Sequence, residues 1–449
     1  MTKTITVFIL SLAGLAACTG YQPKPLGMPQ ALPKDTAHLV IDTAKIRLPT
    51  LASHRFDPSD GLDITEVAML AVANNPQLKI NRDDVGIASA QAFAAGLLPD
   101  PQLALNRDTP TSGGSDLTNA FGIGLTFDVN ALLSRSAVKN SANATLRQAD
   151  MNLLWQEWQV VAQARLLFVR NLQQKKLLAI LQQQNELLTS RNQRIQHAFD
   201  RGDVTVDVKN ADLAAWYTLQ TSINELTRQI TKNRFELNAL LGLAPDAQLE
   251  LTGDAPLLVF DEQNIQNEFA NMIERRPDIL ALKAGYESQE QKFRQAILAQ
   301  FPVLNVGLTR ARDTSNIYTT GIGITLSLPI FNRNRGNIAI EQASRQKLFD
   351  EYQLRINTAN SEILVILQDQ QLLNQQLASA RLGVLTLEKA ATQAQDALNK
   401  GIIDLLAYTN IRTAWLSKQV EVNAIEQLLL EQQVAMQTLI GSIPSDANK

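Results

Sequence analysis

The chain has little of what site chemistry requires. One cysteine and three histidines occur in 449 residues. A single thiol forms no intrachain disulfide. His38, His54 and His197 stand far apart, none with a His or Cys partner at metal-ligand spacing, so neither a metal nor a cofactor is expected. Cations do not outnumber anions: 41 Lys and Arg stand against 44 Asp and Glu, a net charge of -3. No basic face is concentrated enough to hold nucleic acid. No run of 18 apolar residues occurs in the mature chain, so no helix there is long and apolar enough to cross a bilayer. Aromatics make up only 5%. No Gly-x-Ser-x-Gly elbow is present, and Gly122-Ile123-Gly124 lacks the third glycine and the lysine of a phosphate loop. An enzyme is not expected, and no residue is assigned a catalytic role.

What is present is strict alternation, twice. Phe121, Ile123, Leu125, Phe127 and Val129 interleave with Gly122, Gly124, Thr126 and Asp128; Ile322, Ile324, Leu326, Leu328 and Ile330 interleave with Gly323, Thr325 and Ser327. Strands of about 9 to 11 residues with one apolar face are what a transmembrane β-barrel needs, because every second side chain meets lipid. The remainder reads as helix. Ser134 to Asp200 and Asp404 to Ile440 are rich in Gln, Leu, Ala and Asn, free of Pro, and apolar at three and four spacings.

The halves repeat one another. Pro76 falls on Pro277 and Pro101 on Pro302 at an offset of 201; Gly122, Gly202 and Gly242 fall on Gly321, Gly401 and Gly441 at an offset of 199. Each half orders a moderate helix (about Gln77 to Leu97; Asp278 to Gln300), two strands (Pro101 to Arg107 and Ala120 to Asn130; Pro302 to Arg310 and Thr319 to Ile330) and two long helices (about Ser134 to Asp200 and Thr205 to Leu241; Arg335 to Lys400 and Asp404 to Ile440). A helix of that length needs neighbours throughout, and Leu177, Leu181, Leu188 and Ile195 supply a seam that Gln184 and Arg191 interrupt. Gly202 before Thr205, and Gly401 before Asp404, read as helix stop followed by helix cap, a tight αα-hairpin in each repeat. The chain therefore divides into 1–17, 18–61, repeat 1 (62–245), a linker (246–262), repeat 2 (263–444) and a tail (445–449).

Lys3 and the apolar stretch Ile5 to Leu15 form a secretory signal. Leu15-Ala16-Ala17-Cys18 resembles the bacterial lipobox, which makes Cys18 an acylated first residue, and Thr19 beside it resembles lipoproteins sorted to the outer membrane. Pro23, Pro25, Pro29, Pro33, Pro49 and Pro58 then keep the chain extended to about Gly61, running over the surface of the body or disordered.

Four membrane strands do not close a barrel, since single-chain barrels start at about 8. An open edge in hydrocarbon leaves backbone groups unpaired at several kcal/mol each, so copies of the chain must complete the cylinder; physics alone does not choose between two and three.

The duplication, the strand pairs, the glycine hinges and three phrases together resemble the TolC/OprM family of outer-membrane efflux channels. The phrases are Gly96-Leu97-Leu98-Pro99-Asp100-Pro101, Gly202-Asp203-Val204-Thr205 and Leu328-Pro329-Ile330-Phe331-Asn332-Arg333-Asn334-Arg335-Gly336. The resemblance covers about Asp63 to Pro444. It implies a mainly α fold with transmembrane β: tandem helical hairpins forming an α-barrel, and four strands per chain in a trimeric twelve-stranded β-barrel. It implies the partners too, namely two further copies, a periplasmic adaptor (membrane fusion) protein, an inner-membrane pump and outer-membrane lipid. The turns Gly202, Asp203, Val204, Thr205 and Gly401, Ile402, Ile403, Asp404 are the docking positions carried over. Some relatives close the periplasmic entrance with acids six and nine residues after the second turn glycine; here Ala407 and Asn410 stand there, with Asp207 and Asp404 as weak substitutes.

The expected function is a passive exit duct for drugs or metal cations; the phrase around Asn332 to Gly336 and Pro99-Asp100-Pro101 look somewhat like the heavy-metal efflux branch. A type I secretion duct and a non-pore structural or adaptor lipoprotein are the alternatives, and the latter has no use for two apolar strand faces. Cys18→Ser should abolish incorporation of labelled palmitate; unchanged labelling defeats the acylation reading.

Overall fold

A computed structural model describes residues 20–28, 31–34, 41–114, 116–258 and 262–441. Repeat 1 contains α1 (Ile64–Asn74), α2 (Pro76–Gly96), β1 (Gln102–Asp108), β2 (Ala120–Asp128), α3 (Val129–Asp200) and α4 (Val206–Leu240). Repeat 2 contains α5 (Glu262–Arg275), α6 (Pro277–Leu298), β3 (Val303–Arg312), β4 (Tyr318–Ser327), α7 (Arg335–Asn399) and α8 (Leu405–Ile440). The expected order holds, with one more helix at the start of each repeat. Pro76 and Pro277 cause that division. Each sits in the first turn of the second helix, where a missing N–H costs nothing, and each biases the residue before it out of helical geometry. Asn75 secures the first bend by accepting from the Leu78 amide at 3.0 Å and donating to the Leu240 carbonyl at 3.0 Å.

Three residues expected on strand faces lie outside the strands. Val129 is the first residue of α3, because Asp128 accepts the Ala131 amide and caps the helix there. Leu328 and Ile330 follow the end of β4 at Ser327; Pro329 has no N–H for a ladder and stops the strand. The chain then turns through Arg333 and Asn334, at φ of 46° and 53°, with Asn334 Nδ2 donating to the Ala296 carbonyl at 2.8 Å. Repeat 1 has no such turn, so α3 has 72 residues and α7 has 65. At 1.5 Å per residue these helices are about 110 and 100 Å long.

The long helices pack as one layer in the order α4, α3, α8, α7, with α6 lying on both α3 and α7. Duplication extends to the cores. Leu78, Ala164, Phe168, Leu237 and Leu241 gather in repeat 1. Their counterparts Ile279, Ile363, Leu367, Met436 and Ile440 gather in repeat 2. The chain before repeat 1 departs from expectation: Ile46, Leu48 and Leu51 are buried against Met69, Val72 and Val161 rather than running over the surface. Pro49 starts a single helical turn, Pro49–Ala52, that points Leu51 inward. The first described residues, 20–28 and 31–34, are exposed, and there Pro33 accepts the Ala244 amide at 2.9 Å and Lys34 pairs with Asp246 at 2.6 Å.

Glu157 of α3 is fully enclosed, with neither carboxylate oxygen hydrogen-bonded among the described residues and the Arg82 guanidinium 3.6 Å away. Burial raises its pKa above the usual carboxylate range, against the pull of Arg47 and Arg82. A folded-state pKa above the unfolded one gives stability that is present in acid and lost as pH rises through the folded value. Glu157→Gln should therefore raise the thermal midpoint in mildly alkaline buffer, by about 2–4 °C for each kcal/mol recovered. In acid it should leave the midpoint nearly unchanged, as read by scanning calorimetry of the detergent-extracted protein.

Candidate functional site

Partners across an antiparallel ladder point to the same face, so register alone decides whether four alternating strands agree. The strands form one meander in the order β1-β2-β3-β4. Leu103, Leu125, Leu308 and Ile322 lie in one row across it. Leu105 and Ile123 sit above them; Phe127, Val306 and Ile324, and then Leu304 and Leu326, sit below. Apart from Val303 at its end, the opposite face is small or polar: Gln102, Thr126, Gly307 and Gly323 form one row, and Ala104, Gly124, Thr309 and Gly321 form the next. Rows two residues apart are separated by about 7 Å, so four apolar rows rise about 20 Å, close to the apolar band of about 25 Å that a membrane barrel carries.

Phe121, Ile123, Leu125, Phe127, Ile322, Ile324 and Leu326 thus share the face that alternation assigned them, whereas Val129 and Leu328 are not in the sheet. Sequence reasoning missed Leu103, Leu105, Leu304, Val306 and Leu308. Their alternation was legible but broke off at Arg107 and Arg310. The apolar face is open, Ile322 being 75% exposed. Among the described residues, β1 and β4 each have one edge without a partner strand.

At the far end of the long helices the two hairpin turns close alike. Gly202 and Gly401 take φ of 81° and 68°, a region that side chains disfavour. Asp203 N donates to Ala198 O at 2.8 Å and Gly202 N to Phe199 O at 2.9 Å; Ile402 N donates to Ala397 O at 2.9 Å and Gly401 N to Leu398 O at 3.0 Å. Asp404 accepts the Ala407 amide at 2.7 Å. Thr205 occupies the equivalent position, but its side chain caps nothing, contrary to expectation. Val204 and Ile403 are half-buried, and Ile402 is 72% exposed.

Arg191, the residue that breaks the α3 seam, joins the two hairpins. It pairs with Asp212 of α4, which also accepts from Asn192 at 3.2 Å, and it donates to Asn410 Oδ1 of α8 at 3.4 Å. Asp212 is nearly inaccessible. Of the two substitute acids, Asp404 is occupied as a helix cap and Asp207 is exposed, so neither reaches this contact. Farther along, Arg170 of α3 donates to both carboxylate oxygens of Glu431 of α8, at 2.9 and 3.2 Å. Burial pushes the Glu431 pKa up, yet the bonds from Arg170 and Gln427 outweigh it and hold the carboxyl below its usual range. Of the histidines, His54 lies 3.3 Å from Asp63 and His197 is exposed. His38 and Cys18 lie outside the described residues.

The chain thus combines a sheet apolar on one face and polar on the other with long helices of about 100 Å that continue from it. The model of the outer membrane efflux protein family matches residues 270–442 of this chain. The chain is 23% identical over 385 residues to the cobalt-zinc-cadmium resistance protein CzcC of Cupriavidus metallidurans, covering 84% of this chain and 88% of that one. The fold matches the Campylobacter jejuni CmeC outer membrane channel with a TM-score of 0.71 at 17% identity, covering 95% of this chain and 96% of that one. It matches CusC, solved in a study of transmembrane channel formation, with a TM-score of 0.69 at 15% identity, covering 95% and 99%.

Asp212→Ala would strand the enclosed Arg191 guanidinium at a cost of about 3 kcal/mol. Amide exchange around residues 188–216 should accelerate, while that of α1 and α2 stays at the wild-type rate.

Proposed function

We propose that three copies of this chain close their four-stranded sheets into one barrel, forming a passive exit duct fed by an inner-membrane pump through a periplasmic adaptor. One observation carries this reading: the register gathers the apolar residues of all four strands on one face and leaves both sheet edges open. Such a sheet is stable in hydrocarbon only when its edges are paired, and the polar face then lines a wetted lumen. Phe121, Ile123, Leu125, Phe127, Ile322, Ile324 and Leu326 face lipid. Trimer rather than dimer follows from the family resemblance.

The duct supplies no energy and selects by width and charge. No catalytic residue or cofactor enters this reading, and Cys18 carries an acyl anchor. A non-pore adaptor lipoprotein would leave the apolar sheet face without purpose. Divalent metal cations come first among candidate cargoes, because the relative aligned over 84% of the chain is by name a cobalt-zinc-cadmium resistance protein. The turns at Gly202–Thr205 and Gly401–Asp404 dock the adaptor: both stand at hairpin tips, and nothing lies within 4 Å of a Cβ built on either glycine.

Detergent-extracted protein should migrate as a heat-sensitive trimer and conduct in planar bilayers; a monomer that conducts nothing overturns the duct. Gly202→Leu with Gly401→Leu adds bulk at positive φ, at about 1–2 kcal/mol each. It should leave trimers intact while abolishing adaptor crosslinking and cadmium or zinc tolerance; full tolerance counts against docking at the turns.

A further inference from the structure

Arg107, Arg310 and Arg312 lie on the apolar face of the sheet, all at the strand ends remote from the long helices. Register sets them in adjoining rows: Arg107, Phe121, Arg312 and Tyr318 outermost, then Leu105, Ile123, Arg310 and Thr320. Arg107 and Arg310 are exposed, and neither has a hydrogen bond or ion pair among the described residues. Arg312 is half-buried, donates to the Asn119 carbonyl at 2.8 Å and has its Nε enclosed without a partner. Nearby acids do not answer them. Asp108 shares the polar face with its partner Ala120. Asp313 accepts the Ser315 and Ile317 amides, each at 2.9 Å. Asp116 has an interaction of its own.

Guanidinium groups on a face that meets hydrocarbon are tolerated only near its edge, so these rows mark the head-group level, where Phe121 and Tyr318 suit the interface as aromatic anchors. The unpaired guanidinium forks of Arg107 and Arg310 match phosphate in shape and charge, and Arg312 adds charge beside them. Resting on the barrel reading above, we propose that this rim binds outer-leaflet lipid whose head group bears phosphomonoesters. The outermost row spans three strand spacings, about 14 Å, wide enough for two phosphates on one lipid.

The test reconstitutes the full-length protein in phosphatidylcholine containing either diphosphoryl lipid A or the same lipid stripped of phosphate, then extracts it mildly and measures retained lipid by mass spectrometry. Wild type should retain the phosphorylated form about fivefold or more over the stripped form. Arg107→Gln, Arg310→Gln and Arg312→Gln together should remove that preference, and the three Lys replacements should keep most of it. Equal retention by the Gln variant and wild type overturns the proposal. Should the triple variant not assemble, Arg107→Gln alone must at least halve the preference, and no change overturns it. Wild type that conducts in planar bilayers without preferring phosphate sinks this inference alone. Wild type that neither inserts nor conducts sinks the duct, and the inference with it.

Discussion

Pairing of backbone N–H and C=O groups at the sheet edges is the constraint from which the rest of the architecture follows. In water an open edge is tolerable; in hydrocarbon each orphan group costs several kcal/mol. One chain offers four strands with β1 and β4 at the margins. On the duct reading proposed above, a copy of the same chain would supply a ready partner edge for each margin, and self-association would be a condition of membrane insertion.

Duplication works inside the same constraint. The sheet is continuous across the repeat boundary, because β2 pairs with β3 although the first hairpin lies between them in sequence. The repeats are not identical. Asp128 starts α3 directly from β2, whereas Pro329 and the left-handed pair Arg333 and Asn334 hold repeat 2 in a turn before α7. Polar links then tie the hairpins side by side: Arg170 to Glu431, and Arg191 to Asp212 and Asn410. These contacts place charge between long helices, where losing one partner costs more than the intact pair adds in net stability.

The seam-breaking Arg191 shows how a residue can be visible in a sequence while its role is not. It reads as a fault in a leucine pattern until Asp212 and Asn410, from two other helices, are brought against it. Glu157 is similar: a polar residue at an unremarkable helix position becomes an enclosed carboxylate only because α3 is covered there. The arginines of the sheet follow the same logic, since their common face depends on strand pairing.

By itself, the sequence determined the period of each element, the repeat and its glycine stops, because these arise from side-chain alternation, turn chemistry and proline, all local to a few residues. The moderate helix of each repeat was legible; the helix before it, set off by Pro76 and Pro277, was not. Likewise Ile46, Leu48 and Leu51 read as part of an extended segment until their burial against α1 and α3 appeared. Tertiary structure alone decided the register that merges four apolar patterns into one face, the order of the hairpins and the partners of Arg191. Each of those is a relation between segments distant in the chain, and no local preference specifies which distant partner a side chain or a strand will meet.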